Sequence, residues 1–525
     1  DAQVAALSST QTRALGTDQV QALEANDIVA LAARFQDAQV IAMTDDQVAA
    51  LGANISGLNT TQVRALTTDQ VALLSTAQAD ALTSSQAAAL TTDQLRAMTT
   101  DALAALTTSA VAALTTGQVR SLTTQQVQAL TDAQIAALSS TQARALSTAQ
   151  VRALSAGDID TLKASFQSAQ IQALTDAQVG ALTTAQVAAL SSDQVRALTT
   201  DQVALLSATQ AGALTTAQAR ALSTDQLRAM TTDAVAALSD GATGAVAALS
   251  TGQLASLTTE QMRALTNAQI DSFTSTQVRA LGTAQVAALE SYDIGALKAS
   301  FQTAQVRAMT ASQIGSLTTA QVASFTSTQV RALSTGQIAL MTYGQIAALS
   351  TGQVQSLGTD QIRGLSAGQI NAIEVADLQG MQTDQVAAFT STQLQFLNST
   401  QAQALSSTQL RALASDQVGA LLGNLSTGQI QSLTTGQVHS LTTGQLQSMT
   451  NAQLGAFTAT QLRSLSAGQL GVLRDIASAS AADISKLSAD QVSNLTNGTL
   501  SGLTGNQINA LSSDQVQALS DAQIG

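Results

Sequence analysis

Leucine returns at every eighth residue along most of this chain. Leu7, Leu15, Leu23 and Leu31 open the series, and Leu106, Leu114, Leu122, Leu130, Leu138, Leu146 and Leu154 continue it. A short fixed period constrains a fold more than composition does, because each unit must satisfy itself against neighbours of its own kind and the result is an array. The intervening residues are almost as regular. One unit reads Thr123-Thr124-Gln125-Gln126-Val127-Gln128-Ala129-Leu130, and another Ser147-Thr148-Ala149-Gln150-Val151-Arg152-Ala153-Leu154.

With Thr123 as an N-cap, Gln126 falls at N3, from which its side chain reaches back to the cap's own N–H in a capping box. Leu122 and Val127 then occupy the two positions of a hydrophobic staple. Each octad therefore predicts a helix of about two turns, restarted at the next Ser or Thr. One continuous helix is excluded, since eight residues overshoot two turns by roughly 80° and the apolar stripe would wind around the axis. A β-solenoid is the alternative. It would call for Gly, Asn or Asp at tight corners and for β-branched strands, whereas the constant residues here are Gln, Ala and Leu. The expected fold is thus an all-α solenoid of short two-turn helices, one per octad. Helices this short are unstable alone, so neighbouring octads must hold them.

Breaks in the period suggest a second level. From Leu31 to Met43, Leu162 to Leu174 and Leu297 to Met309 the spacing is twelve, and these units carry Phe35, Phe166 and Phe301. Each follows an octad in which Gln is replaced by Asp: Asp27, Asp158 and Asp293. The segment Asp-Gln-Leu-Arg-Ala-Met-Thr-Thr-Asp-Ala recurs around Met98 and Met230. One continuous array over 1–525 is expected, in approximate duplicated blocks 1–157, 158–292 and 293–525. Slips of seven (Leu51 to Leu58) and eleven (Leu238 to Leu249) offset the blocks. Asp377 and Asp483 sit in similar octads without the phenylalanine extension. The long units read as corners or contact points of the superhelix, with a loop insertion as the competing reading. Asp1-Ala2-Gln3-Val4 lacks a cap and Ala522-Gln523-Ile524-Gly525 stops before its Leu, so the array is expected either to continue at both ends or to be closed there by the next subunit. No leader precedes Asp1, so targeting is expected to reside elsewhere.

The residues needed for chemistry are scarce. The chain has no Cys, Pro or Trp and a single histidine. Thiolate sites and disulfides are ruled out, and a Ser-His-Asp triad or histidine-rich zinc site has too little to build with. No enzyme, cofactor or catalytic residue is expected. His439 stands at the variable sixth position and is expected on the surface. Acids two residues after the cap, such as Asp69, Asp93, Asp193 and Asp225, suit a helix N-terminus. Shared calcium sites are the alternative for acids, with Asp27, Asp158 and Asp293 as candidates. Arg13, Arg64, Arg120, Arg144, Arg152 and Arg196 are read as solvating one face. A formal charge of −13, with 10% charged residues, gives no attraction for nucleic acid or anionic lipid. No apolar run is long enough to span a membrane. Regular Thr pairs admit an ice-binding surface as a minor alternative, although the hydroxyls already serve as caps. Asn-x-Ser/Thr triplets at Asn54, Asn59, Asn398, Asn424, Asn494 and Asn497 admit glycosylation.

The unit Leu-Thr-Thr-x-Gln-Val-x-Ala-Leu resembles octad-repeat regions of very large bacterial surface and secreted proteins of adhesin-like or haem-utilisation-like type, and the likeness covers essentially the whole chain. It implies export and an extracellular or cell-surface setting. The opening helix of TAL-effector repeats is similar over one octad, but their longer unit, base-reading loop and positive charge are missing here. The expected function is structural: copies of the chain self-associating into a fibre, sheath or surface layer. The alternative is a non-polymerising adhesin stalk or binding scaffold, with cell-surface glycans as partners.

Overall fold

A computed structural model of the chain describes residues 2–241, 243–471 and 481–525. Among the described residues the regular structure is entirely helical, in short α-helices of four to seven residues with a few 3₁₀ segments. The octad generates one helix each time. In the unit around Thr123, helix Thr124–Ala129 begins after an extended N-cap and ends at an extended Leu130 (φ −61°, ψ 135°). Leu122 (φ −55°, ψ 141°) and Thr123 (φ −70°, ψ 161°) are both extended, so two residues turn the chain between one helix and the next.

The chain falls into two compact units, residues 1–274 and 275–525. In the first, helix Thr124–Ala129 packs on Thr100–Ala105 and on Thr148–Ala153, its counterparts three octads before and after. In the second, Ser327–Ala332 packs in the same way on Thr303–Ala308 and Thr351–Gln355. Three octads therefore close one three-sided coil of 24 residues, the spacing of Met98 and Leu122, and corner stacks on corner. The fifth and eighth residues of the octad line the interior: Val127 is 1% exposed and Leu122 5%. Each helix gains its stability from the coils on either side, as in other solenoids.

The twelve-residue units are not loop insertions. Each is a four-residue side that stands in for a whole octad, followed by an ordinary octad. After Leu162 the backbone stays helical (φ −100°, ψ −19°), runs through the 3₁₀ segment Lys163–Ser165, and turns only at an extended Phe166. Phe166 fills the corner that leucine fills elsewhere and is 4% exposed. The 3₁₀ segment stacks on helix Ser140–Ala145, as a full side would. Phe35 follows Ala32–Arg34 in the first unit, and Phe301 follows Lys298–Ser300 in the second, in the same arrangement. A further short side, Leu422–Asn424, ends at Leu425. It was not visible as a member of the set because Leu425 stands where the others have Phe, and the preceding octad keeps Gln417. The slip of seven is also a 3₁₀ side, Gly52–Gly57, opened by Gly52 at φ +45°, a left-handed conformation that glycine tolerates.

Candidate functional site

The most repeated constellation in the molecule is the corner glutamine. Gln126 Oε1 accepts the Thr123 N–H at 2.9 Å, and Thr123 Oγ1 accepts the Gln126 N–H at 3.1 Å. The amide nitrogen turns to the preceding coil and donates to the carbonyls of Leu95 (2.9 Å), Arg96 (3.2 Å) and Met98 (2.9 Å). Gln126 is 2% exposed, so both ends of a buried amide are used: one starts its own helix, and the other clamps the corner one coil earlier. Leu122 and Val127 flank it in the core. In the second unit Gln337 repeats the clamp on Val306, Arg307 and Met309, and Gln385 on Val354, Gln355 and Leu357. The sequence marks the capping half of this role. The inter-coil half carries no local signal, because its acceptors are backbone carbonyls 28 to 31 residues away.

The clamp also holds register where sides are short. Gln170 bonds to Leu146 O with a separation of 24 residues where 28 is usual, and Gln305 to Leu281 O and Gln429 to Leu405 O do likewise. One coil later the clamp finds no extended corner, since the backbone at Leu162, Leu297 and Leu421 remains helical. There the glutamine lies across the helix instead. Lys163, and after it Gln186, hold the Asp160 carboxyl below the usual carboxylate range. A Cβ on Gly295 would stand 1.9 Å from Gln321 Nε2, and one on Gly419 would stand 1.9 Å from Gln445 Nε2. Glycine at these two positions makes room for the displaced amide.

Asp27, Asp158 and Asp293 all occupy the N3 position of the helix before a short side and are buried. Asp158 Oδ2 accepts the Ser155 N–H at 2.9 Å and Asp293 Oδ2 accepts the Glu290 N–H at 2.9 Å, so the capping half of the role survives. A carboxylate has no N–H to donate to the preceding coil. The three lie in separate octads, and among the described residues no three His, Cys, Asp or Glu side chains assemble into a possible metal cage. Asp377 is the same substitution in an octad with no short side after it. Thr351 Oγ1 donates to its Oδ1 at 2.7 Å, while Oδ2 is buried with no hydrogen-bond partner. Burial pushes the Asp377 carboxyl above the usual carboxylate range, against the pull of the Thr351 bond. The Asp483 side chain lies outside the described residues.

Arginines at the sixth position do more than solvate a face. The Nε of Arg196 donates to Ala221 O at 3.4 Å, that of Arg307 to Ala332 O at 3.2 Å and that of Arg411 to Ser432 O at 2.9 Å. Each acceptor is a carbonyl at the end of the helix stacked one coil later, where a cation is favoured by the helix dipole. His439 is exposed at the same position, with Nδ1 2.5 Å from Ser464 O. It joins the same set of inter-coil contacts. No helix among the described residues is long and apolar enough to cross a membrane.

The family model described as ALTTAQ repeat matches the chain twelve times, in overlapping stretches that together cover residues 55–145, 164–240, 242–335 and 338–407. No curated protein matches the chain.

Proposed function

We infer a structural role from one premise: the chain belongs to the ALTTAQ repeat family. In this reading the chain acts outside the cell or on its surface, where copies associate into a fibre, sheath or layer, and it turns over no substrate. The observation that carries the reading is the use made of its buried polar groups. In octad after octad the one buried amide is spent on holding a coil to its predecessor, as Gln126 and Gln337 are, and little is left for binding or catalysis within the solenoid. The variation in the sequence is concentrated at exposed second, third and sixth positions, where contacts with other copies would be made. Electron microscopy of the purified full chain tests this. Filaments, sheets or ordered clusters are the expected result, and dispersed monomers across salt and concentration would overturn it.

A further inference from the structure

In the unit 275–525, one corner is built without the amide that its neighbours use. One octad before it, Gln369 donates to Ile338 O and Met341 O, both at 2.8 Å. One octad after it, Gln385 donates to Val354 O (3.0 Å), Gln355 O (3.0 Å) and Leu357 O (2.8 Å). The same register sets the fourth residue of octad 374–381 against the carbonyls of Ile346, Ala347 and Leu349. That residue is Asp377, a methylene shorter than glutamine and without an N–H. The three carbonyls therefore receive no clamp.

Asp377 also differs from the other acids at this position. Asp158 and Asp293 turn to the N–H of their own cap residue. Asp377 turns to the preceding coil instead, where its Oδ1 accepts the Thr351 hydroxyl two residues past Leu349. Gly380 leaves room for that threonine, since a Cβ there would stand 2.5 Å from Thr351 Cγ2. Asp377 is 3% exposed, and its Oδ2 has no hydrogen-bond partner. No ion pair among the described residues engages it, and the charge that acts on it, Glu374, has the same sign. A buried carboxylate without a counter-charge is costly, and carbonyl oxygens beside it add to the cost. A water molecule offers two protons to these four oxygens, whereas a cation satisfies them all.

We propose that this corner binds a dehydrated monovalent cation of potassium's size, with Asp377 Oδ2 and the carbonyls of Ile346, Ala347 and Leu349 as ligands. Charge and size both select it. One carboxylate balances one positive charge, and carbonyl dipoles can replace the hydration shell of such an ion. In the flanking corners the amide nitrogen keeps 2.8–3.0 Å from its carbonyls, wider than the distance of about 2.3–2.6 Å that calcium takes. The ion joins this coil to its predecessor as the amide does elsewhere. The site does not depend on whether copies of the chain associate.

Hydrogen exchange on the full chain at pH 7 tests this, in potassium chloride against choline chloride of equal ionic strength, with calcium chloride as a third arm. Potassium is expected to slow exchange about tenfold over residues 346–355 and 374–381 and to leave residues 123–154 unchanged. Asp377→Gln restores the amide. It is expected to show the slow exchange in every salt, which also demonstrates that the corner folds in the variant. Asp377→Asn removes the charge and is expected to exchange fast in every salt. Equal exchange of the wild type in potassium and choline would overturn the site and leave a protonated carboxyl or a buried water at the corner. Protection by calcium and not by potassium, or a potassium response that persists in Asp377→Gln, would overturn it as well.

Discussion

Gln126 shows what one residue type can do when repeated. Its carbonyl oxygen caps its own helix and its amide clamps Leu95, Arg96 and Met98 in the preceding coil. Gln126→Ala is expected to lower stability by about 2–3 kcal/mol, read as a shift in urea midpoint, because buried acceptors lose their donor. Gln126→Glu keeps the acceptor and places a carboxylate against three carbonyls. It is expected to cost at least as much at pH 7 and visibly less near pH 4, where a protonated carboxyl can donate. Asp377 presents the reverse case. Its carboxyl is raised by burial, so the folded state holds the proton more tightly than the unfolded chain. The stability it contributes is present below the ordinary carboxylate pKa and is lost as pH rises through the raised value. Asp377→Gln is therefore expected to gain about 1–2 kcal/mol at pH 7, with the gain shrinking as pH approaches 4, measured by denaturant titration at both values. The capping half of these roles was legible because Thr123 and Gln126 are three residues apart. The clamping half was not, because its partners are main-chain atoms that have no signature in the sequence.

The helices themselves were legible for the same local reason, since cap, staple and apolar positions all recur within eight residues. The sides that depart from eight were only half legible. Phe35, Phe166 and Phe301 marked three of them, but whether four extra residues form a bulge or a side depends on what lies one coil away. The 3₁₀ segment Lys163–Ser165 stacks on Ser140–Ala145, and the corner at Phe166 is still met by Gln194 through the Phe166 carbonyl at 3.1 Å. Leu425 shows that the corner needs bulk more than aromaticity, since it serves there at 3% exposure. Phe166→Ala is expected to destabilise by about 3–5 kcal/mol and Phe166→Leu by much less, both read as thermal midpoints. Equal losses from the two substitutions would mean that the ring makes a contact leucine cannot replace.

Across a whole unit, coupling runs only from one coil to the next. A fault in one coil should therefore spread a short way. Hydrogen exchange on the Gln126→Ala chain is expected to speed up over residues 91–106 and 123–154, with residues 191–230 unchanged. A uniform loss of protection over residues 1–274 would instead mean that the unit opens as a single cooperative block. The three-sided coil was the least legible level of all, because an eight-residue period leaves no mark at 24. Every octad can meet any other, and only the clamp distances select the third.

The same clamp gives the chain a direction. Each amide reaches towards residues already passed, 24 to 34 positions earlier, and seldom towards those still to come. A thread emerging from a ribosome or a secretion pore with its amino end leading would find the carbonyl it needs already set, and could wind up coil by coil with no wait for a distant partner. Fed the other way, each new octad would arrive before its footing existed.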